Sequence, residues 1–101
     1  MNFGLSDQQY HFILEKVVKP IETLQGQVWC YGSRARGDHK PFSDLDLMVE
    51  CPHDLTKPIS QIQELLTESL FPFKVDLVQL KDFADSYKSG YERDKKAFLP
   101  K

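Results

Sequence analysis

"QVWCYGSRARGDHKPFSDLDLMVE", Gln27 to Glu50, decides the fold of this chain. Its first five residues, Gln27 to Tyr31, are rich in aromatic and β-branched side chains and read as a strand. Gly32 ends that strand. "DLDLMVE", Asp44 to Glu50, alternates through Leu45, Leu47 and Val49 and reads as a second strand. Strand side chains alternate between faces, so Asp44 and Asp46 are expected on one side, with the three apolar residues facing the core. Between the strands lies a cationic turn carrying Gly32-Ser33, Arg34, Arg36, His39 and Lys40.

Upstream, Ser6 is a good helix N-cap and Gln9 stands at the reciprocal capping-box position, with Leu5 and Tyr10 as a hydrophobic staple. Tyr10, Phe12, Ile13, Val17 and Val18 recur at helical spacing. Pro20 either ends this helix near Lys19 or kinks it so that it resumes through "IETL". Downstream, Ile59, Ile62, Leu65, Leu66 and Leu70 mark an amphipathic helix, with Pro58 in its first turn. "FKVDLVQL", Phe73 to Leu80, reads as a third strand. The polar remainder predicts a short helix through Phe83 and Tyr87, ended by Gly90, and a tail that orders only against a partner. The order of elements is mixed α/β (α+β): a small mixed β-sheet with flanking helices.

At 101 residues the chain is expected to form one domain over residues 1–101. Hydrophobic residues make up 41% and charged residues 28%, which is globular rather than disordered composition. A formal net charge of -2 argues against non-specific binding of nucleic acid through overall charge. No apolar run approaches the roughly 20 residues that span a bilayer, and the first residues lack a cationic start followed by an apolar segment. The expected setting is the cytoplasm, with no membrane. Cys30 and Cys51 form no CxxC and read as reduced packing residues. His11, His39 and His53 share no metal-binding spacing.

The chemistry lies in the opening stretch. A glycine at a strand end lets the backbone turn sharply and lets a ligand come close. If a short helix starts at Ser33, its free N–H groups suit an anion, phosphate being the usual one. Arg34 and Arg36 can donate bidentately to phosphate oxygens. Two nearby carboxylates raise one another's pKa, and a hard divalent cation between them removes that conflict. Mg²⁺ prefers oxygen ligands and is often held by one or two carboxylates together with substrate phosphates. Asp76, within "KVDLV", is costly on an apolar strand unless exposed or paired. On a strand beside "DLDL" it reaches the same metal cluster, or takes the proton of an attacking hydroxyl.

Each feature alone has an ordinary explanation: a turn, a solvated edge, surface charge. Their joint spacing is more specific, with Gly32-Ser33 followed by Asp44-x-Asp46 and then Asp76 on a later strand. Gly32 and Gly37 have the glycine spacing of a P-loop, but Asp38 and His39 stand where its lysine and hydroxyl residue would follow. Ser33 has no evident triad partners.

"GSRARGDHKPFSDLDL" resembles the Gly-Ser…Asp-x-Asp signature of the DNA polymerase beta-like nucleotidyltransferase superfamily, and the short length is similar to its minimal nucleotidyltransferase (MNT) branch. The resemblance runs from the first helix to "KVDLVQL". It implies that fold, metal ligation and catalysis by Asp44, Asp46 and Asp76, and triphosphate contacts from Gly32, Ser33, Arg34 and Arg36. Ser43 is implied as a supporting hydrogen-bonding residue. The implied cofactor is Mg²⁺, one or two ions, with ATP as substrate. The implied acceptor is a tyrosine of a HEPN-domain partner, modified with AMP by this chain as the antitoxin of a toxin–antitoxin pair. A homodimer is the other assembly considered. The alternative is a non-catalytic nucleotide-binding antitoxin that neutralises its partner by complex formation. Transfer to a small molecule is disfavoured, because no acceptor domain follows the third strand. The aromatics Phe71, Phe73, Tyr87 and Tyr91 are candidates for core or interface.

Overall fold

The computed structural model describes residues 2–69 and 71–98; the expectation for Leu70 lies outside them. Ser6 caps helix α1 (Asp7–Ile13) with the full capping box: its hydroxyl accepts from Gln9 N, and Gln9 Oε1 accepts from Ser6 N. Leu5 and Tyr10 are buried on either side of the cap. The helix does not end at Lys19; of the two expected outcomes at Pro20, resumption through residues 21–23 is the one observed. It widens into a π-helical stretch, Leu14–Val18, and runs on as α2 (Lys19–Thr23). Lys19 N–H bonds to Leu14 O, five residues back. Pro20 then sits near the start of α2, where its missing N–H costs least.

Four strands form one sheet: β1 (Gln27–Tyr31), β2 (Leu45–Glu50), β3 (Val75–Gln79) and β4 (Lys96–Ala97), in the order β3-β2-β1-β4. β2 pairs antiparallel with β1 and parallel with β3, and β4 pairs antiparallel with β1. A parallel pair needs a crossover connection, which helix α4 (Thr56–Thr67) supplies. The expected mixed α/β architecture is therefore the observed one.

Two boundaries differ from expectation. β2 starts at Leu45, leaving Asp44 in the loop before it, and β3 starts at Val75 rather than Phe73. The C-terminal part differs more. Helix α5 (Asp85–Asp94) passes through Gly90, and Phe83 precedes it. The segment after α5 does not await a partner: β4 pairs with β1, and Phe98 is buried against Phe3 and Tyr10.

The two faces of the sheet have different duties. Val28, Cys30, Leu45, Leu47, Val49, Val75 and Leu77 are buried in the core, together with Ile13, Val17 and Ile21 of the N-terminal helices. Burial lifts the Cys30 thiol to about 12, so it stays a protonated packing residue. The opposite face carries Trp29 and Tyr31 on β1, Asp46 and Met48 on β2, and Asp76 and Val78 on β3. On the β1 side α5 covers this face. Tyr91 packs edge-on against Tyr31 and donates its hydroxyl to Glu50. Lys95 bonds to Glu50 at 3.0 Å and lies 4.5 Å over the Trp29 ring.

Candidate active site

Tyr31, Asp46 and Asp76 stand in one row across β1, β2 and β3, because Tyr31 pairs with Asp46 and Asp46 with Asp76. The same face and adjacent strands bring the two carboxylates together. Asp44 reaches the region from the loop, exposed to water. Asp46 records the crowding: its pKa is pushed up to about 6, first by burial and then by the charges of Asp76 and Asp44, with Lys74 and Arg36 opposing. Lys74 Nζ lies 3.4 Å from Asp76 Oδ1 and is the nearest counter-charge. Sequence reading passed over Lys74, although its place two residues before Asp76 was the available signal.

Gly32 lies directly against this row. Its backbone is at φ +75°, ψ −156°, a region essentially closed to other residues. A Cβ there would sit 2.7 Å from Asp46 Oδ2. Position 32 therefore excludes a side chain twice, by conformation and by space. Helix α3 (Ser33–Arg36) starts at once and ends at Gly37 in the left-handed region. The sequence left a turn or a short helix open here, and the structure has the helix. The first amides of such a turn have no intrahelical acceptor, and the turn opens at Gly32, against Asp46.

The two arginines part company. Arg34 is 1% exposed. Its guanidinium donates to the carbonyls of Ser43 (3.0 Å), Phe3 (2.9 Å) and Pro41 (3.4 Å), and it stacks 4.2 Å over the Phe73 ring. Burial lowers its pKa from the ordinary arginine value, while Cys30 and Asp44 oppose the shift. The expectation that Arg34 contacts a triphosphate is corrected: its donors are already taken up in anchoring the loop that carries Asp44. Arg36 is exposed, paired with Asp38 at 3.0 Å and Asp94 at 3.4 Å. Ser43 holds the same loop, its hydroxyl accepting from Lys40 N at 2.8 Å and its carbonyl accepting from Arg34. Sequence spacing could not reveal this internal use of Arg34, because the Phe3 carbonyl it binds is 31 residues away.

The donor set fits Mg²⁺. It is all oxygen, and Asp46, raised first by burial and then by the charges of Asp76 and Asp44, stands where a cation would favour its ionised form. Among the described residues no three His, Cys, Asp or Glu side chains form a ready metal cage. An Mg²⁺ site of one or two carboxylates completed by substrate phosphates needs none.

Comparison with known proteins gives the family. The family described as "Nucleotidyltransferase domain" matches residues 13–99. Probable protein adenylyltransferase MntA of Haemophilus influenzae is 35% identical over 63 residues, covering 60% of this chain and 54% of that protein. The match thus spans about half the length of that curated relative. Two solved structures share the fold. A toxin–antitoxin with AMP-PNP superposes with a TM-score of 0.64 at 21% identity, covering 86% of this chain and 73% of that one. A mutant of the toxin–antitoxin MntA-HpeT gives 0.64 at 17% identity, covering 96% and 75%. The nucleotidyltransferase match covers most of this chain, including Gly32, both aspartates of β2 and its approach, and Asp76, and the chain belongs to the nucleotidyltransferase domain family.

Proposed function

We propose that this chain transfers AMP from ATP to a hydroxyl, that of a tyrosine on a HEPN-type partner, as the antitoxin of a toxin–antitoxin pair. One observation carries the reading: Asp46 and Asp76 stand side by side on the open face, with Asp46 against Gly32, the residue that opens the α3 turn. The relative with MntA chemistry and the toxin–antitoxin folds support the choice of nucleotide and partner.

The residues divide the work. The Gly32-Ser33 turn offers amides to the triphosphate, and Arg36 adds a cation at the rim. Asp44, Asp46 and Asp76 would hold one or two Mg²⁺ ions. Bound there, Mg²⁺ would neutralise phosphate charge and acidify the acceptor hydroxyl. The acceptor oxygen bonds to the α-phosphorus as the bond from that phosphorus to the bridging oxygen breaks. Pyrophosphate leaves, and the hydroxyl proton passes to Asp76. Arg34 and Ser43 act behind the site, fixing the loop that delivers Asp44. Residues 1–101 act as one domain in the cytoplasm, with the partner supplying the acceptor; a homodimer is the other assembly to test.

The test is incubation with ATP labelled in its α-phosphate, Mg²⁺ and the partner encoded beside this chain. The partner should become labelled, and an Asp44→Asn, Asp46→Asn variant should abolish the label. Label that persists unchanged in the variant sinks the catalytic assignment. A variant that transfers nothing yet fully silences the partner transfers the reading to neutralisation by binding.

A further inference from the structure

Between α3 and α5 lies a cleft of about 310 Å³ that opens beside Gly32 and that the transfer chemistry leaves without a role. We propose that this cleft holds the nucleoside end of the nucleotide, with the Tyr87 ring stacking on the base and the Tyr31 hydroxyl offered to the sugar or the base edge. The inference rests on the reading of the Gly32-Ser33 turn and the three aspartates as the triphosphate end.

Four observations point there. The first is continuity, since Gly32 lines the cleft and touches Asp46, so a bound triphosphate would direct the rest of its nucleotide into or past this space. The second is the aromatic wall. Tyr31 meets Phe83 at 5.6 Å and Tyr91 at 5.5 Å between ring centres, and Phe83 meets Tyr87 at 6.0 Å. Tyr87 ends that series with 65% of its surface exposed, so the fold leaves this ring largely unused. Every base offers a π-face to such a ring.

The third is charge. Arg36 and Arg93 both line the cleft, and both bond to Asp94, whose side chain is only 13% exposed. Asp38 also pairs with Arg36. Two cations balanced by two carboxylates leave the cleft near neutral, which suits an uncharged base and ribose. The fourth is polar capacity. Among the described residues neither the Tyr31 nor the Tyr87 hydroxyl, both on side chains lining the cleft, has a side-chain hydrogen-bond partner. The volume falls at the low end of small-ligand clefts, roughly 300–1,000 Å³, as expected where only part of a ligand enters. Helix α5 supplies one wall of the cleft from within the same chain.

Calorimetric titration of the full chain with Mg²⁺ and AMP-PNP, and separately with Mg²⁺ and inorganic tripolyphosphate, separates the two ends of the ligand. The wild type should bind both. Tyr87→Ala, at an exposed position, and Gly90→Leu, which fills the cleft from a site whose nearest neighbour to an added Cβ is 3.8 Å away, should each weaken AMP-PNP by roughly tenfold, the scale of one stacked base. Both should leave tripolyphosphate unchanged, and Tyr87→Phe should bind AMP-PNP like the wild type. Equal weakening of both ligands, or none of either, overturns the proposal. So does a Tyr87→Ala variant that binds AMP-PNP normally but loses transfer to the partner, because the cleft would then belong to the acceptor. A wild type that binds neither ligand fails at the earlier step, the triphosphate reading itself, before any variant is made.

Discussion

At Gly32 a single missing carbon satisfies the backbone and the active site together. Gly32→Ala forces φ +75° on a residue with a Cβ and drives that Cβ to 2.7 Å from Asp46 Oδ2. The expected loss is about 2 kcal/mol in urea unfolding, with transfer activity falling further than stability explains, because Asp46 must move. Asp46 itself gives a pH signature. Its carboxyl titrates near 6 in the fold against an ordinary value of 3.8. The native state therefore holds a proton that the unfolded chain has released between about pH 4 and 6, so stability falls as pH rises through that window and stays lower above it. In chelator-treated protein Asp46→Asn should be more stable than wild type at pH 8 by on the order of 1 kcal/mol, discounted for partial solvation. The difference should vanish near pH 3.5, and Mg²⁺ should stabilise the wild type more than the variant. An Asp46→Asn that is less stable at pH 8 contradicts the crowding argument. Arg34 makes the opposite case, since the residue is 1% exposed and bonds to three carbonyls, one of them buried and two part-buried. Arg34→Met should cost about 3 kcal/mol by stranding those acceptors, where a phosphate-binding arginine would leave the unfolding midpoint nearly unchanged.

Among the elements, those that were legible in the sequence carried a period and a cap. Ser6 and Gln9 announce α1, the alternation of Leu45, Leu47 and Val49 announces β2, and Asp76 in an apolar strand announces the pairing with Asp46. The rest lacks such marks. A π-helical stretch leaves the apolar spacing nearly intact, so its presence ahead of Pro20 is a matter of backbone bonding alone. β4 has two residues, too few for alternation to register, and is defined by its pairing with Trp29 and Cys30. Gly90 reads locally as a helix stop, yet α5 continues because Tyr91, one residue on, is buried against Tyr31 and bonded to Glu50. Tertiary packing overrides the propensity. A mid-helix glycine whose added Cβ would meet only Arg93 Nη2, at 3.8 Å, should accept alanine, so Gly90→Ala is expected to raise stability by about 0.5–1 kcal/mol. A loss of that size would mean that the helix ends there after all. Gln63 shows another device invisible to periodicity. From α4 it donates to Val75 O and accepts from Leu77 N, standing in for a strand along the edge of β3.

For the whole molecule, the sheet keeps stability and chemistry on opposite sides. The core side is apolar across β1, β2 and β3, while the other side leaves Asp46 and Asp76 open and gives the β1 end to α5. What holds α5 in place is the segment after it. Phe98 is 2% exposed and stacks on Tyr10 at 4.5 Å and Phe3 at 5.2 Å, and its N–H bonds to Val28 O. Phe3 in turn gives its carbonyl to Arg34, so this aromatic cluster joins the N-terminal turn, β4 and the loop bearing Asp44. Phe98→Ala should cost about 3 kcal/mol, a large share of the roughly 5–15 kcal/mol that a domain of this size has. The loss should not be uniform. Hydrogen exchange should accelerate most in β4 and α5, because β4 loses its anchor while the β1–β2–β3 pairing keeps its own core. Exchange that quickens equally in all four strands would mean that β4 and α5 unfold only with the rest, and that the wall α5 forms beside Gly32 is as rigid as the sheet itself.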